Sequence, residues 1–537
     1  MKLHIILIVA LALAIAHAQQ PTALVAGLNI ERTLGTGETH TYTITLDEGA
    51  AIIGAADQRG VDLVVDFLDP DGKLIRSVDS PNGTKGPEPI DLTASKPGQY
   101  TLQIRMLVAK AEPGKYAMKI DRVLTIEENG QRLAEKNYPP ALQSLWRAYV
   151  SDPHAVEKFV SSRKGKGPLI EEVKENNKFA NVTYLYYGNE NTESVRVTGG
   201  PNTGSGGVRL TRFLRTPLFF GSEIVPKDAR YTYSFSIVES HFVGPGQVVQ
   251  VRDEITSTDK LNPEMFNDSS ALTLPDAPSQ PYLVPNPSVT KGKLTAASIK
   301  SVALKEDRVL SVYTPAGYDA AKESELLIVF DGEDHTRDTD VLRTMTTIDN
   351  LIALKKIDPT VAVFVDSMGL RQRDMVSYQP FAEFIAKELV PWVRQNYRIA
   401  SGPSHVVASG MSLGGLASSY VAFVYSDTIG NVLSQSGSYW VTKDWREAQS
   451  YAPFTYDTGD LVGEFRKSKR LPIKFYLAIG RFESAGRMLG TNRELRDVLL
   501  LKGYDVTYDE VSGGHDDIWW RGSFADGLIA LIGRRSE

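Results

Sequence analysis

The chain has 537 residues, 42% of them hydrophobic and 23% charged, with a formal net charge of −6. That length exceeds one ordinary core and calls for two or three domains. The mild acidity and the lack of a long basic run give no reason to invoke nucleic acid, and the absence of cysteine excludes disulfide scaffolds, thiol nucleophiles and cysteine–metal sites.

The first residues, MKLHIILIVALALAIAHAQQ, combine Lys2, an apolar stretch from Leu3 to Ala16, and the small residues Ala16 and Ala18 around His17. This is the pattern of a cleaved secretory signal over residues 1–18, so export to the periplasm or the outside of a bacterium is expected. The stretch is short for a membrane span, and no later segment approaches one. An exported chain without disulfides must hold its fold by burial alone.

Over residues 28–122, HTYTITL, DLVVDFLDPDGKLI and GQYTLQIRML are alternating or β-rich runs separated by turns. They predict a small β-sandwich. The phrasing resembles the pre-peptidase C-terminal type of sandwich, which implies an accessory module on a secreted enzyme. A helix is expected from Pro140 to Phe159, with Leu142, Leu145, Trp146, Tyr149 and Val150 at helical spacing. Strand-like runs return between Val173 and Ile255, giving a second β-sandwich domain over residues 140–280. The proline-dense PDAPSQPYLVPNP then reads as a linker.

From residue 288 to 537 the texture changes. Short apolar runs (LLIVFDG, PTVAVFVD, SHVVASG, IKFYLAIG) alternate with helical patterns such as FAEFIAKELVPWVRQNY. This predicts a mostly parallel sheet with helices on both faces, an α/β-hydrolase domain after two β-sandwich domains.

Within it, Gly410-Met411-Ser412-Leu413-Gly414 fits G-x-S-x-G between a strand run and a small-residue helix. That is the setting of a nucleophile elbow. A serine hydroxyl needs a base, and of the eight histidines only His515 lies C-terminal to Ser412. It follows a strand-like run and two glycines that would let the backbone turn toward the serine. The orienting acid should leave the preceding strand, which favours Glu483; Asp516, Asp517 and Asp497 are the weaker alternatives. His405 reads as a strand-start residue. Oxyanion donors are expected at the Leu413 amide and at Gly332 or Glu333, after the LLIVFDG strand.

With these residues in place, LLIVFDGE, SGMSLGGLASSY, NVLSQSGSYW and GGHDDIWWRGSFADGLIAL resemble the enterochelin esterases of the esterase D group, over about residues 140–537. The resemblance implies hydrolysis of the trilactone of a ferric catecholate siderophore, with Ser412, His515 and Glu483 as the catalytic set. Iron would enter only with the substrate; no cofactor or resident metal is expected. It further implies that Arg371, Arg481 and Arg521 would favour an anionic substrate and that Trp440, Trp519 or Trp520 would stack on catechol rings, with Tyr184, Tyr186 and Tyr187 as further aromatic candidates. Two other readings stay open: a feruloyl or aryl carboxylesterase acting on polysaccharide, and a binding protein on a hydrolase scaffold.

Overall fold

Alternation of buried and exposed residues accounts for the first part of the chain. The computed structural model describes residues 21–174, 176–201, 206–214, 216–243, 249–337, 341–442, 445 and 459–534, and the chain forms two units, Met1–Phe159 and Val160–Glu537. The signal expected over residues 1–18 lies outside the described residues.

In the first unit, Thr39–Leu46 buries His40, Tyr42, Ile44 and Leu46 and turns the intervening residues outward. Its five-stranded sheet and a four-stranded sheet share one core, with Tyr42, Leu63 and Leu102 from one sheet and Ile52, Ile90 and Met118 from the other. The Tyr116 hydroxyl crosses that core to the Tyr42 hydroxyl and, at 2.6 Å, to His40 Nδ1, so the buried polar atoms are mutually satisfied. The helix expected over 140–159 runs only from Pro140 to Ser151 and a new one starts at Ala155. Asp152, extended at φ −141° and ψ 105°, is the residue before Pro153, where helical geometry is disfavoured. The break at Phe159 puts the Pro140–Ser151 helix with the first unit, so the second domain begins near residue 160 rather than at 140.

The second unit opens with nine strands on one hydrogen-bonded network. Val182 and Tyr184 near one end share a core with Phe235 and Leu272 near the other, so the sheet curls around its own interior.

The remaining strands form an eight-stranded sheet. We number them β1 (Lys293–Ser301), β2 (Glu306–Thr314), β3 (Glu325–Phe330), β4 (Thr360–Val365), β5 (Val406–Met411), β6 (Asn431–Gln435), β7 (Lys474–Gly480) and β8 (Asp505–Val511). Their order is β1-β2-β4-β3-β5-β6-β7-β8, antiparallel through β1, β2 and β4 and parallel from β4 onward. Both faces are covered. On β3, Leu326, Ile328 and Phe330 enter one core while Leu327 and Val329 enter the other. The first core holds the helices α2 (Leu413–Val424), α3 (Asp460–Lys467) and α4 (Thr491–Leu501); the second holds α1 (Thr344–Ala353) and α5 (Asp517–Ile532). Continuous apolar strands are what burial on both faces requires. In such a sheet, functional groups gather where the strands end at their carboxyl side.

Candidate active site

Ser412 sits at that carboxyl edge, between the end of β5 and the start of α2, at φ 58° and ψ −118°. Positive φ is costly for a residue with a side chain. The surrounding glycines make it possible, since a Cβ on Gly410 would stand 2.4 Å from the Gly414 carbonyl carbon and one on Gly415 would stand 2.5 Å from Ser434 Oγ. The turn is pinned by the Ser412 amide on the Gln435 carbonyl (2.9 Å) and by the Ser438 amide on the Ser412 carbonyl (3.0 Å). Ser412 Oγ lies 3.4 Å from Ser438 Oγ. Leu413 is the first residue of α2, where amides have no intrahelical acceptor.

His515 follows β8. Its Nδ1 lies 2.7 Å from Glu483 Oε2, and because a carboxylate only accepts, Nδ1 carries the proton and Nε2 is the free nitrogen. The Glu483 side chain, which leaves β7, is only 1% exposed. Its Oε1 accepts from the Ser436 hydroxyl and from the Gly480 amide at 3.1 Å. Ser436 Oγ in turn accepts from Trp520 Nε1 at 2.8 Å. A buried carboxyl needs its acceptor positions filled in this way. The Trp520 ring also meets the His515 ring edge-on, with centroids 4.8 Å apart.

Ser412 and His515 line one cavity of about 350 Å³ together with Trp520, Asp331, Asp334, Arg371, Asp516 and Asp517. Thr232, Phe266, Asn267 and Ser269 of the curled sheet form its opposite wall. Burial pushes the Asp517 carboxyl up to about 6, helped by the neighbouring charges of Asp516 and Asp334.

The other residues singled out from the sequence are dispersed. Arg371 reaches the cavity, but its guanidinium is clamped on Asp331 (2.7 and 2.9 Å) and touches the Met411 carbonyl at 3.4 Å. Burial raises the Asp331 pKa, against the pull of Arg371. The Gly332 backbone is packed on β4, where a Cβ would stand 2.7 Å from the Val365 amide, and the Glu333 carboxylate holds the Ser367 amide at 2.9 Å. These two residues do not line the cavity; their neighbours Asp331 and Asp334 do. Trp519 is core, with Nε1 on the Gly514 carbonyl at 2.6 Å. Trp440 lies under Arg487, Arg481 turns to Ser512 Oγ and Asp228, and Arg521 covers the Phe266 ring at 4.7 Å.

Tyr184 is buried in the core of the curled sheet, and Tyr186 packs against that core; Tyr187 is exposed. His405 pairs with Glu325 at the opposite end of the strands, Asp497 bonds Arg496, and Asp516 bonds Thr232. Of the two glycines before His515, Gly513 acts by size rather than by conformation, while a Cβ on Gly514 would meet open space. Neither has positive φ, and a Cβ on Gly513 would stand 2.5 Å from Trp519. Ser436 and Thr232 are missed by sequence reasoning; only the NVLSQSGSYW phrase touches the first.

The Esterase family model matches residues 301–531. The iron(III) enterobactin esterase of Dickeya dadantii is 29% identical over 276 residues, 49% of this chain and 61% of that protein. The Escherichia coli K12 protein of the same name is 27% identical, over 49% of this chain and 62% of its own length. The match thus spans about three-fifths of these curated relatives. An enterobactin esterase structure from Shigella flexneri superposes with a TM-score of 0.54 at 23% identity, covering 68% of this chain and 95% of that one. The ferric enterobactin esterase of Salmonella typhimurium gives 0.56 at 22%, covering 69% and 97%; these two likenesses speak to the fold. Residues 301–531 thus match the Esterase family, and the chain carries an extra domain N-terminal to the part that is similar to the enterobactin esterases.

Proposed function

We propose that the protein is a serine carboxylic ester hydrolase whose catalytic set is Ser412, His515 and Glu483. The observation that carries this reading is the shared cavity: a serine held at positive φ and a histidine fixed by a buried carboxylate line the same space. In the mechanism, Ser412 Oγ attacks the ester carbonyl as His515 Nε2 takes its proton. Glu483 holds the imidazole in the required tautomer and offsets the positive charge that forms. The Leu413 amide, at the start of α2, would receive the oxyanion. The imidazolium returns its proton to the leaving alcohol, and water activated by the same nitrogen then hydrolyses the acyl-enzyme.

The proposed substrate is a catecholate siderophore lactone such as ferric enterobactin, with iron as part of the substrate and release of the iron as the outcome. The relatives' activities support this, as do Trp520 and Phe266 on the cavity wall. Export is part of the proposal and rests on residues 2–18; among the described residues no helix is long and apolar enough to cross a membrane. One observation favours an aryl or feruloyl-type ester instead. Four aspartates line the cavity, and Arg371, the one cation among the described lining residues, is already engaged by Asp331.

The test is to incubate residues 19–537 with ferric enterobactin and, separately, with a feruloylated sugar, and to separate the products by chromatography. Linear dihydroxybenzoylserine oligomers, absent with Ser412→Ala, establish the siderophore reading. Ferulate alone transfers the mechanism to the second substrate, and turnover unchanged in Ser412→Ala overturns the mechanism.

A further inference from the structure

The strand Arg230–Val243 of the curled sheet is paired on one side with Thr192–Gly199, and that ladder ends at the Gly199–Tyr233 pair. Beyond it, the amides of residues 230 and 232 face an open edge, because alternate residues of a strand donate in the same direction. The loop carrying His515 takes the place of the missing strand. The Arg230 amide donates to the Ser512 carbonyl at 3.0 Å. The Thr232 amide and the Thr232 hydroxyl both donate to Asp516 Oδ2, each at 2.6 Å. The second oxygen of Asp516 accepts from the Ile518 amide at 3.1 Å and so caps α5.

His515 therefore lies between two anchored residues. Gly513 and Gly514 are held from the other side, by the Phe482 amide on the Gly513 carbonyl (3.0 Å) and by Trp519 on the Gly514 carbonyl. Tyr231 and Tyr233 point into the core of the curled sheet while Thr232 points out of it. The hydroxyl is thus placed by the period of the strand, not by a flexible side chain.

We propose that Thr232, acting through Asp516, is a positioning residue for the His515 imidazole, so that the curled β domain completes the catalytic apparatus of the hydrolase domain besides walling the cavity. The inference rests on the reading of Ser412 and His515 as nucleophile and base. Loss of the hydroxyl leaves Asp516 on the Thr232 and Ile518 amides but removes one of its three donors, which loosens the anchor beside the histidine and lets its backbone drift from the productive geometry. Displacements of that kind slow the chemical step without weakening binding of a small substrate.

The experiment uses the full chain with p-nitrophenyl acetate and compares Thr232→Val and Thr232→Ser with the unaltered protein. The expected result for Thr232→Val is a fall in kcat of about tenfold with unchanged KM, reversed in Thr232→Ser. In ¹⁵N-histidine-labelled protein, the downfield Nδ1–H resonance of His515 broadens in Thr232→Val and stays sharp in Thr232→Ser. An unaltered kcat with an unaltered resonance overturns the proposal, as does a rise confined to KM, which would make Thr232 a substrate contact. Should the unaltered protein show no Ser412-dependent turnover, the hydrolase reading fails and the resonance alone decides whether Thr232 positions His515.

Discussion

Glu483 Oε2 accepts the Nδ1 proton of His515 at 2.7 Å, while the other oxygen of the same carboxylate is held by Ser436 and by the Gly480 amide. The acid is thus fixed before the histidine meets it. Glu483→Gln keeps the size and removes the charge, and the amide nitrogen can force the wrong imidazole tautomer. A fall in kcat of about 10³-fold with little change in KM is expected from steady-state kinetics. Ser436→Ala removes one of the three donors, and about a tenfold fall is expected.

Ser412→Ala is expected to lower kcat by at least about 10³-fold. Alanine keeps a Cβ at φ 58°, so the backbone strain of the elbow is unchanged. Thermal unfolding should therefore shift by no more than about 2 °C.

Arg371 and Asp331 form a two-point pair in which the carboxylate side chain is 3% exposed and the arginine 38%. Arg371→Ala strands a buried carboxyl beside the elbow. The cost expected from denaturant unfolding is about 2 kcal/mol, below the roughly 3–5 kcal/mol of a pair buried on both sides. Arg371→Lys should recover only part of it, since an ammonium cannot span both oxygens.

Asp517 carries a folded pKa of about 6 against an ordinary value of 3.8. A raised acid binds its proton more tightly in the folded state, so its contribution is most favourable below pH 3.8 and is lost as pH rises through about 6. Asp517→Asn should be more stable than the unaltered protein above pH 6 by on the order of 2 kcal/mol, and the difference should vanish below about pH 3. Because Asp517 lines the cavity, KM for a trianionic ferric catecholate should rise with pH through about 6, and should not do so in Asp517→Asn.

The parts of the molecule that were legible in the sequence are those fixed by short-range pattern. The hydrolase strands are apolar at every position because both of their faces are covered, and the turn at Ser412 is marked by glycines that steric contact demands. The distribution of charge was not legible. Arg371 and Asp331 stand forty residues apart and meet only because β3 and β4 are neighbours, which converts an expected substrate contact into a clamp on the elbow. Trp519 and Trp520 are adjacent in sequence and share one core, yet Trp519 closes on the Gly514 carbonyl while Trp520 meets the histidine ring. Thr232 lies 284 residues from Asp516, and no local signal links them.

The open edge at Arg230 and Thr232 also bears on how the chain matures. During synthesis the curled sheet leaves the ribosome long before residues 512–516 exist, so for that interval its edge donors have no acceptor in the chain. Unpaired strand edges recruit other strands. A nascent or truncated product ending near residue 290 should therefore self-associate more readily than the full chain, and arrival of the last strand and its loop is the event that closes the edge.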